Sequence, residues 1–569
     1  MLPQQIAQSI IDAVRAAQAA GALPAFDPPA AEVDRPRSPE HGDFATSWAL
    51  KAARSAGMPP LALAGVVVAH LPAEGPIQSA TVAPPGFINL RLDPVWLAGQ
   101  LRGIRLAGER FGDISIGAGR RLQVEFVSAN PTGPIHFGGA RNAAIGDTLA
   151  RVLEAAGYQV HREFYVNDAG TQIANFGASI LARYQQALGR EVAFPEQGYQ
   201  GAYVSDYAAR VIDAEGDRYL DMPEDEASAA LGAWGVDIAL AALRVNLGRL
   251  GVHFDTWFSE RSLYDNDSFA TLLADLEQRG LIVDKDGARW LATSRLGSDR
   301  DEVLIRSNGQ SGYYASDLAY HYDKFVRRGF DRVIDVWAVD HQNQARRMPF
   351  LMKALDLDPK RLDIVLYDLV KLVESGVDET TGEATRTEVK QSKRKGTFIS
   401  LDEVLDAYLV PPDAIRFILL IRSNEQVIEF DPELVKQASS DNPVYYVQYA
   451  HARICSILRQ GEERGLRVPP AGEEQGLDLL SHPTELDLVT QMLRLPELVD
   501  QVTQFLAPHH LPHYAMELAR AFHAFYHECP VLGAGDEDLS LARLALADAA
   551  RITLARTLSL MGVSAPERM

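Results

Sequence analysis

Between residues 121 and 168 the chain alternates strand and helix patterns in an order that few folds accommodate. The segment "RLQVEFVS" has the pattern of a strand, and the helical segment "GARNAAIGDTLARVLEAAGY" that follows it ends near a glycine. "QVHREFYVND" then has the pattern of a second strand. Strand, helix and strand at this spacing indicate a parallel βαβ unit, so we predict a doubly wound α/β sheet.

The chain has 569 residues, which is too many for one hydrophobic core, so we expect several domains. We predict an α+β N-terminal domain over 1–112, a Rossmann-like domain over 113–400 and an all-α helix bundle over 401–569. A more helical and polar insertion is expected at about 186–290. Later strands of the sheet are predicted in "RVIDVWAVD" at 332–340 and "RLDIVLYDLVKLV" at 361–373.

The apolar segments of the chain argue against a membrane protein. None of them reaches the length of a membrane span, and "LALAGVVVAHL" at 61–71 is predicted to be a buried helix. The first residues have the apolar spacing of an amphipathic helix rather than the composition of a signal peptide. The apolar positions of that helix are Ile6, Ile10, Ile11 and Val14.

Cysteine content and net charge limit the class of protein less strongly than the apolar segments do. Cys455 and Cys529 lie far apart without metal-like spacing, so we expect a reduced, cytoplasmic protein with no zinc or disulfide framework. The net charge of -21 is only a weak argument against a nucleic-acid partner, because binding depends on the local face of a protein.

The turn after the first strand of the βαβ unit is a candidate phosphate site. His136, Gly138 and Gly139 open the helix at the carboxyl end of a strand, where open α/β sheets bind ligands. Free N–H groups at a helix N-terminus favour an anion, and glycines allow a phosphate or a ring to approach the backbone. A tight turn that requires small residues is the alternative explanation.

A cationic loop follows the last predicted strand. In "EVKQSKRKGTF", at 388–398, Lys390 and Lys393 flank Ser392. Clustered cations on a loop suit the charge that develops on transferred phosphates, although a solvated basic loop has the same composition. We expect this loop and the His136 turn to close one sheet from opposite sides, and this pairing favours the functional interpretation.

With these motifs the chain resembles the class I aminoacyl-tRNA synthetases, and specifically the bacterial-type arginyl-tRNA synthetases. His136-Phe137-Gly138-Gly139 is similar to the HIGH element of the class, and Lys390-Gln391-Ser392-Lys393 is similar to its KMSK element. The resemblance covers nearly the whole chain and is least informative at 186–250 and in the last hundred residues. Four further segments resemble the arginine enzymes, namely "GDFAT", "PPGFINL", "YVNDAGTQI" and "NPVYYVQYAHARICSI".

Two positions depart from the motifs. Gly139 stands where the HIGH element has its second histidine, so one hydrogen-bond donor is missing or is supplied from elsewhere. His341, in "VDHQNQ", is a candidate substitute. Gln391 replaces the methionine of KMSK, a position that mainly supports the loop, so the two lysines keep their expected role.

The resemblance implies an ATP site and an arginine site. His136, Lys390 and Lys393 are expected at the phosphates of ATP, and the other nucleotide contacts are expected from Gly138, Gly139 and Ser392. Magnesium should accompany the pyrophosphate, because nothing else neutralises so many oxygen atoms. We assign no residue of this chain as a metal ligand.

A bound arginine requires carboxylates in a fork geometry, because a guanidinium is planar and always charged. The resemblance implies that Glu125, Tyr313 and Asp317 hold the side chain, and Tyr313 and Asp317 are one helical turn apart. The resemblance implies that Asn130 and a polar group in the 340–344 segment hold the α-groups, and Gln342 is the favoured residue of that segment. The alternatives are an ion pair at the strand end for Glu125 and helix capping or packing for Tyr313 and Asp317.

The implied activity is the ATP-dependent formation of arginyl-adenylate and its transfer to the 3′ end of tRNA(Arg), with AMP and pyrophosphate released. We expect activation to require bound tRNA, the helix bundle to bind the anticodon, and the N-terminal domain to contact the tRNA elbow. Tyr449 and Arg453 are the anticodon candidates, whereas Tyr446 is expected in the core. A monomer with no membrane partner is expected.

Three other functions remain open from the sequence. A cysteinyl synthetase would need a cluster of thiolates. A glutamyl synthetase would need a cation in place of Glu125 or Asp317. A small-molecule nucleotidyltransferase shares the histidine–glycine turn but has no large helical C-terminal domain. A tRNA-binding protein that has lost catalysis is favoured by Gly139 and disfavoured by Lys390 and Lys393.

Overall fold

An antiparallel sheet of three strands lies near the N-terminus of the chain. The computed structural model describes residues 1–264, 268–377, 384–388, 399–439, 441–533 and 535–569. The sheet has the order β1–β3–β2, with β1 (Phe44–Thr46), β2 (Ile77–Ala83) and β3 (Phe87–Leu92). The helices of this part are α1 (Leu2–Ala19), α2 (Trp48–Ala56), α3 (Pro60–Ala69) and α4 (Pro94–Ala107). Ile6, Ile10 and Val14 of α1 are buried, as their helical spacing predicts.

The middle of the chain contains the second and largest set of elements. Its strands and helices, in chain order, are β4 (Arg121–Glu125), α5 (Phe137–Ala155), β5 (Gln159–Val166), α6 (Thr171–Ala187), α7 (Tyr203–Glu215), α8 (Glu224–Arg249), β6 (Thr256–Ser259), α9 (Ser268–Gln278), β7 (Ile282–Lys285), β8 (Ala288–Leu291), β9 (Glu302–Ile305), α10 (Tyr313–Tyr322), β10 (Arg332–Ala338), α11 (Gln342–Ala345), α12 (Met348–Ala354), β11 (Leu362–Tyr367), β12 (Val370–Val377) and β13 (Ala384–Glu388). A π-helical turn, Asp323–Arg327, continues α10.

Five of these strands form a parallel sheet in the order β11–β10–β4–β5–β6. β4 leads through α5 to β5 on one side and pairs with β10 on its other side. The winding direction therefore reverses between β4 and β10, and ligands of open α/β sheets bind at such a reversal. The predicted doubly wound parallel sheet is confirmed.

The segment at about 186–290, expected to be an insertion, contains a strand of this sheet. β6 pairs with β5, placing Trp257 opposite Phe164. It separates the helices α6–α8 from a small antiparallel sheet of β7, β8 and β9. β6 was missed because it is a four-residue edge strand whose side chains are all partly buried, so it shows no apolar–polar alternation.

The segment 361–373, expected to be one strand, is two strands of different sheets. Asp368 interrupts it, because its backbone N–H donates to the carbonyl of Asn424 and its carboxylate accepts from the N–H of Leu369. β11 stays in the parallel sheet, whereas β12 pairs with β13 and with a strand of the C-terminal part.

The C-terminal part is a helix bundle, as predicted. Its elements are α13 (Pro412–Leu420), β14 (Ile428–Phe430), α14 (Pro432–Val435), α15 (Pro443–Glu463), α16 (Pro483–Met492), α17 (Leu495–Phe505), α18 (His510–Glu528) and α19 (Glu537–Leu560). β14 pairs with β12 and joins the bundle to the middle of the chain. On α15, Ala450 and Ile454 are buried, whereas Tyr446 packs against the core and stays partly exposed. Cys455 and Cys529 are both buried free thiols.

A buried arginine ties the bundle to the parallel sheet. The guanidinium of Arg416, on α13, donates to Asp147 Oδ2 of α5 at 2.6 Å. It also donates to the carbonyls of Leu250 and Met561, at 2.8 and 2.7 Å, and its side chain is 1% exposed. One cation thus fixes α5, the end of α8 and the end of α19 together.

One helix of the described residues, α8, is long and apolar enough to cross a membrane, with a mean hydropathy of 1.4 over 18 residues. No segment of that kind was expected from the sequence. Taken together, α2 and α3 are also long and apolar enough to cross a membrane, although the pair is bent by 105°. Such helices are weak support for a membrane span, since core helices of soluble proteins share their length and composition. α8 packs closely on α6, where a Cβ added at Gly177 would lie 3.0 Å from Gly232.

Candidate active site

A cavity of about 500 Å³ lies at the carboxyl ends of β4 and β10, where the winding of the sheet reverses. Its walls come from the loop after β4, from α10 and from the turn after β10. Three carboxyl groups line it, on Glu125, Glu260 and Asp317. Aromatic side chains that line it include Tyr165, Tyr320 and Trp337. Carboxylates beside aromatic faces suit a planar organic cation.

The loop after β4 has a strained backbone. Val127 and Ser128 have φ angles of 67° and 40°, in the left-handed region that a β-branched residue such as valine rarely adopts. The N–H of Val127 donates to Asn142 Oδ1 at 2.7 Å, and Asn142 Nδ2 donates to the carbonyl of Val336 at 2.9 Å. Asn142, on α5, therefore holds the ends of β4 and β10 together beneath the cavity.

Glu125 is fixed by a donor on each carboxylate oxygen. Ser128 Oγ donates to Oε1 at 2.9 Å, and Lys324 Nζ donates to Oε2 at 2.6 Å. Burial raises the pKa of Glu125, against the attraction of Lys324. The ion pair that the sequence left as an alternative is thus present, and the same carboxylate also lines the cavity.

Asp317 and Glu260 face the cavity from other elements. Asp317 Oδ2 accepts from Gln344 Nε2 at 2.7 Å, and Glu260 Oε1 accepts from Ser316 Oγ at 2.9 Å. Burial raises the pKa of both carboxyl groups. Glu260 was not found from the sequence. It directly follows β6, so recognition of that strand would have placed it at the edge of the sheet that holds the cavity.

The remaining residues predicted for arginine lie in different places. Asn130 lines the cavity and its Oδ1 accepts from Asn167 Nδ2 at 3.2 Å. Gln342 is exposed and does not line the cavity, whereas Gln344, two residues later, does. Tyr313 is the first residue of α10, and its side chain lies outside the part of the chain that the structure describes.

His136 caps the N-terminus of α5. Its Nδ1 accepts from the N–H of Gly138 at 2.9 Å, so the neutral ring carries its proton on Nε2. A Cβ at Gly138 would lie 3.1 Å from His136 Nδ1, and a Cβ at Gly139 would lie 3.0 Å from Ile135. Because neither glycine has a side chain, the backbone N–H groups at the start of α5 lie near the surface of the helix.

The cationic loop ends beside His136. Lys390, Ser392 and Lys393 lie outside the described residues. Directly after that segment, the carbonyl of Ile399 accepts from the N–H of Phe137 at 3.1 Å, and Ser400 forms a β-bridge with His136. Ile399 and Ser400, which directly follow the lysine segment, are therefore anchored at the start of α5.

His341, the candidate substitute for the missing histidine, lines the same cavity. It follows β10 in a short helical turn and its ring is exposed. Its Nδ1 is 3.1 Å from Gln344 Oε1. The structure thus places His341 beside Gln344, at the end of β10.

A second polar surface lies between α15 and α18, and we call it the α15–α18 surface. Arg453 Nη2 donates to the Tyr449 hydroxyl at 2.6 Å, and its guanidinium lies 5.2 Å from the Tyr526 ring centroid. The Tyr445 ring is nearly parallel to that of Tyr449, with centroids 6.2 Å apart. Cavities of about 650 and 450 Å³ adjoin Arg453 and Tyr526. Partly exposed aromatic rings beside a cation suit nucleobases.

Comparisons with known proteins agree along the whole chain. Models for three domains match it, the arginyl-tRNA synthetase N-terminal domain at 3–92, the catalytic domain of class I (R) tRNA synthetases at 104–410 and the DALR anticodon-binding domain at 447–569. Arginine–tRNA ligases of Dehalococcoides mccartyi and Moorella thermoacetica are each 44% identical to it. The alignments cover 99% and 100% of this chain, and 98% and 99% of those proteins.

Solved structures support the same fold. The arginyl-tRNA synthetase of Thermus thermophilus gives a TM-score of 0.74 at 24% identity, over 100% of both chains. That of Plasmodium falciparum gives 0.73 at 19% identity, over 100% of this chain and 99% of the other. Identities this low speak for the fold alone, whereas the family follows from the domain models and the 44% identical relatives. The chain belongs to the arginyl-tRNA synthetase family.

Proposed function

We propose that this chain is an arginine–tRNA ligase, which activates L-arginine with ATP and transfers it to the 3′ end of tRNA(Arg), releasing AMP and pyrophosphate. Its relatives at 44% identity carry that name. The observation that carries the proposal is the cavity at the sheet reversal, where Glu125 and Asp317 face one space from two different elements. Glu125 is the last residue of β4, and His136 caps α5, the helix that follows this strand.

Arginine binds in this cavity with its guanidinium between the carboxylates of Glu125 and Asp317. Glu260 adds a third carboxylate, and Tyr313 contributes from the first turn of α10. Asn130 and Gln344 hold the α-amino and α-carboxylate groups. Gln344 lies in the 340–344 segment expected to supply this contact, and it takes the place of the favoured Gln342 because it lines the cavity. The full set of proposed arginine-binding residues is Glu125, Asn130, Glu260, Tyr313, Asp317 and Gln344.

Activation requires little from the protein except placement and charge. The arginine carboxylate is already ionised and attacks the α-phosphorus of ATP without a general base. His136, Lys390 and Lys393 stabilise the phosphates, and Gly138, Gly139 and Ser392 hold the nucleotide. The anchoring of Ile399 beside His136 supports this assignment, because it ties the lysine-bearing chain to the helix that opens at the phosphates.

Magnesium enters this scheme with the nucleotide. Among the residues that the structure describes, no group of three or more His, Cys, Asp or Glu side chains could hold a metal ion. Mg²⁺ ligated mainly by phosphate oxygens and water fits this finding. When bound, the ion would supply positive charge to the oxygen atoms of the leaving pyrophosphate.

The tRNA contacts both terminal domains in the same proposal. Residues 401–569 bind the anticodon through the α15–α18 surface, with Tyr449 and Arg453 against the bases. Residues 1–112 contact the elbow, and 113–400 hold the reacting 3′ end. The enzyme acts as a cytoplasmic monomer, without a membrane partner.

Pyrophosphate release tests the proposal. Purified protein is incubated with ATP, Mg²⁺, tRNA(Arg) and one amino acid, and release is compared for arginine, lysine, citrulline, cysteine and glutamate. We expect release with arginine, and strong dependence on tRNA. Equal release with citrulline would contradict a carboxylate site for a cation, and no release with any of the five would contradict the ligase proposal.

A further inference from the structure

A layer of buried charges lies directly beneath the arginine cavity. Lys324, in the π-helical turn after α10, is fully buried and does not line the cavity. Its Nζ donates to Glu125 Oε2 at 2.6 Å and to Asp335 Oδ1 at 2.8 Å. Above it, the ring of Tyr320 lies 4.0 Å away. A π-helical turn inside a helix often marks a functional position, because it redirects side chains at a cost in regularity.

His321 extends this layer to the other side of the cavity. Its Nε2 lies 3.0 Å from Asp335 Oδ2, and its Nδ1 lies 2.8 Å from the carbonyl oxygen of Asp317. Both partners, the Asp335 carboxylate and the Asp317 carbonyl, only accept hydrogen bonds, so each ring nitrogen of His321 faces an acceptor. Hydrogen bonds therefore run continuously from the carboxylate of Glu125, through Lys324, Asp335 and His321, to the backbone of Asp317.

The charges of the layer balance each other. Burial alone would raise the pKa of Asp335, but Lys324 and His321 outweigh it and hold that pKa below its usual value. Burial alone would lower the pKa of Lys324, but Asp335 and Glu125 outweigh it and raise that pKa. Lys324 is therefore stabilised as a cation by two carboxylates, of which one lines the cavity and the other does not.

We propose that Lys324 is a positioning residue for arginine, which holds Glu125 so that its carboxylate can take one side of the guanidinium. The inference rests on the proposed arginine–tRNA ligase activity and names a residue that does not touch the substrate. Ser128 fixes one oxygen of Glu125 and Lys324 fixes the other. Without Lys324, Glu125 loses the donor that sets its direction, and arginine must order the carboxylate as it binds.

The rival explanation is that Lys324 only neutralises Asp335 so that the protein can fold. A charge-balanced double variant separates the two. Lys324→Met/Asp335→Asn removes one cation and one anion together, which buried sites often tolerate. The matched control is Asp335→Asn alone, which keeps the contact between Lys324 and Glu125.

We expect the double variant to melt close to wild type and to need about tenfold more arginine for half-maximal rate, the scale of one lost hydrogen bond to a charged group. Its KM for ATP and its kcat at saturating arginine should change less than about twofold, as should the arginine KM of Asp335→Asn. If the double variant unfolds, Lys324→Gln, which keeps a donor but no charge, should fold and show a smaller rise in arginine KM.

A folded double variant with a wild-type arginine KM would overturn the inference, and so would an equal rise in the KM values for arginine and ATP. If Lys324→Gln is used, an unchanged arginine KM or failure to fold would overturn it in the same way. These outcomes differ from failure of the proposed function, which would appear as a wild-type protein without arginine-dependent pyrophosphate release.

Discussion

At the scale of single residues, the arginine cavity depends on side chains that hold other side chains. Ser128 Oγ donates to Glu125 and accepts from the backbone N–H of Tyr165 at 3.1 Å. Ser128 makes this double contact from a backbone with a positive φ angle, which is uncommon for a residue other than glycine. Backbone strain of about 1–3 kcal/mol per residue is thus used to aim one carboxylate.

Asp317 is the residue whose replacement separates arginine binding from ATP binding. Asp317→Asn keeps the shape of the side chain but removes the charge that pairs with the guanidinium. We expect the KM for arginine to rise by about tenfold to a hundredfold, the value of a charge-assisted hydrogen bond, with an unchanged KM for ATP. Steady-state aminoacylation measures both constants, and a selective loss of ATP affinity would place Asp317 in another site.

The raised pKa values of the cavity predict how arginine binding depends on pH. Burial raises the pKa values of Glu125, Asp317 and Glu260 from their ordinary values, and the proposed arginine site needs the ionised form of each. Affinity is therefore complete at high pH and is lost as pH falls through these raised values, before ordinary carboxyl groups protonate. The measurement is kcat/KM for arginine from about pH 8 to pH 5, with saturating ATP and tRNA. A profile that falls no earlier than the protonation of ordinary carboxyl groups would contradict it.

At the scale of elements, α5 carries more of the site than its sequence pattern shows. Its N-cap is His136, and Asn142 in its first turns contacts the ends of β4 and β10. Arg141 of the same helix donates to the carbonyls of Asp368 and Gln426, at 2.6 and 2.8 Å. The whole helix is nearly buried, between the sheet and the bundle. Its place in the βαβ unit was predictable from apolar spacing, because burial of one face is a local property.

Contacts between distant segments were not predictable in the same way. Glu260 and Gln344 reach the cavity only because β6 joins the sheet and because α11 turns one helical face inward. No periodicity fixes which of two glutamines in "HQNQ" points into a cavity, since that depends on a turn three residues long. The resemblance supplied Glu125, Asn130 and Asp317, which the structure places around one cavity.

Removal of one partner of the buried pair of Asp147 and Arg416 should lower stability strongly. Burial alone would raise the pKa of Asp147, but Arg416 and Arg151 outweigh it and lower that pKa. The stability this carboxylate gives is therefore present above its unfolded pKa near 3.8 and is lost as pH falls through its folded value. We expect Arg416→Met to lower the free energy of unfolding by about 3–5 kcal/mol, because it leaves Asp147 buried without that cation.

Chemical denaturation of two variants checks this expectation. The double variant Asp147→Asn/Arg416→Met removes both charges and should recover a large part of the stability that Arg416→Met loses. An Arg416→Met protein as stable as wild type would show that Arg151 and solvent already neutralise Asp147, whose Oδ2 lies 2.7 Å from Arg151 Nε.

At the scale of the whole molecule, the arginine cavity and the α15–α18 surface belong to different domains of one chain. The three domain models follow one another along the sequence, and the buried Arg416 links the catalytic domain to the bundle. A net charge of -21 does not prevent a tRNA partner, because the α15–α18 surface presents Arg453 among aromatic rings. Local composition, rather than the total charge, decides where a polyanion binds.

Tyr449 provides the test of that surface. Tyr449→Ala removes one stacking ring and the hydroxyl that accepts from Arg453, so the KM for tRNA(Arg) should rise by about tenfold or more. The KM values for arginine and ATP at saturating tRNA should not change. Tyr446→Phe is the matched control on the same helix, because Tyr446 packs against the core, and it should leave the tRNA KM unaltered. Equal effects of both substitutions would indicate damage to the bundle instead of loss of a tRNA contact.

The central claim is that one cavity, at the reversal between β4 and β10, holds arginine beside ATP. A crystal structure of the protein with L-arginine and a non-hydrolysable ATP analogue tests it most directly. The account predicts guanidinium nitrogens about 3 Å from carboxylate oxygens of Glu125 and Asp317, and phosphates at the start of α5 near His136. Arginine bound elsewhere, or a nucleotide away from His136 and the loop that ends at Ile399, would contradict it.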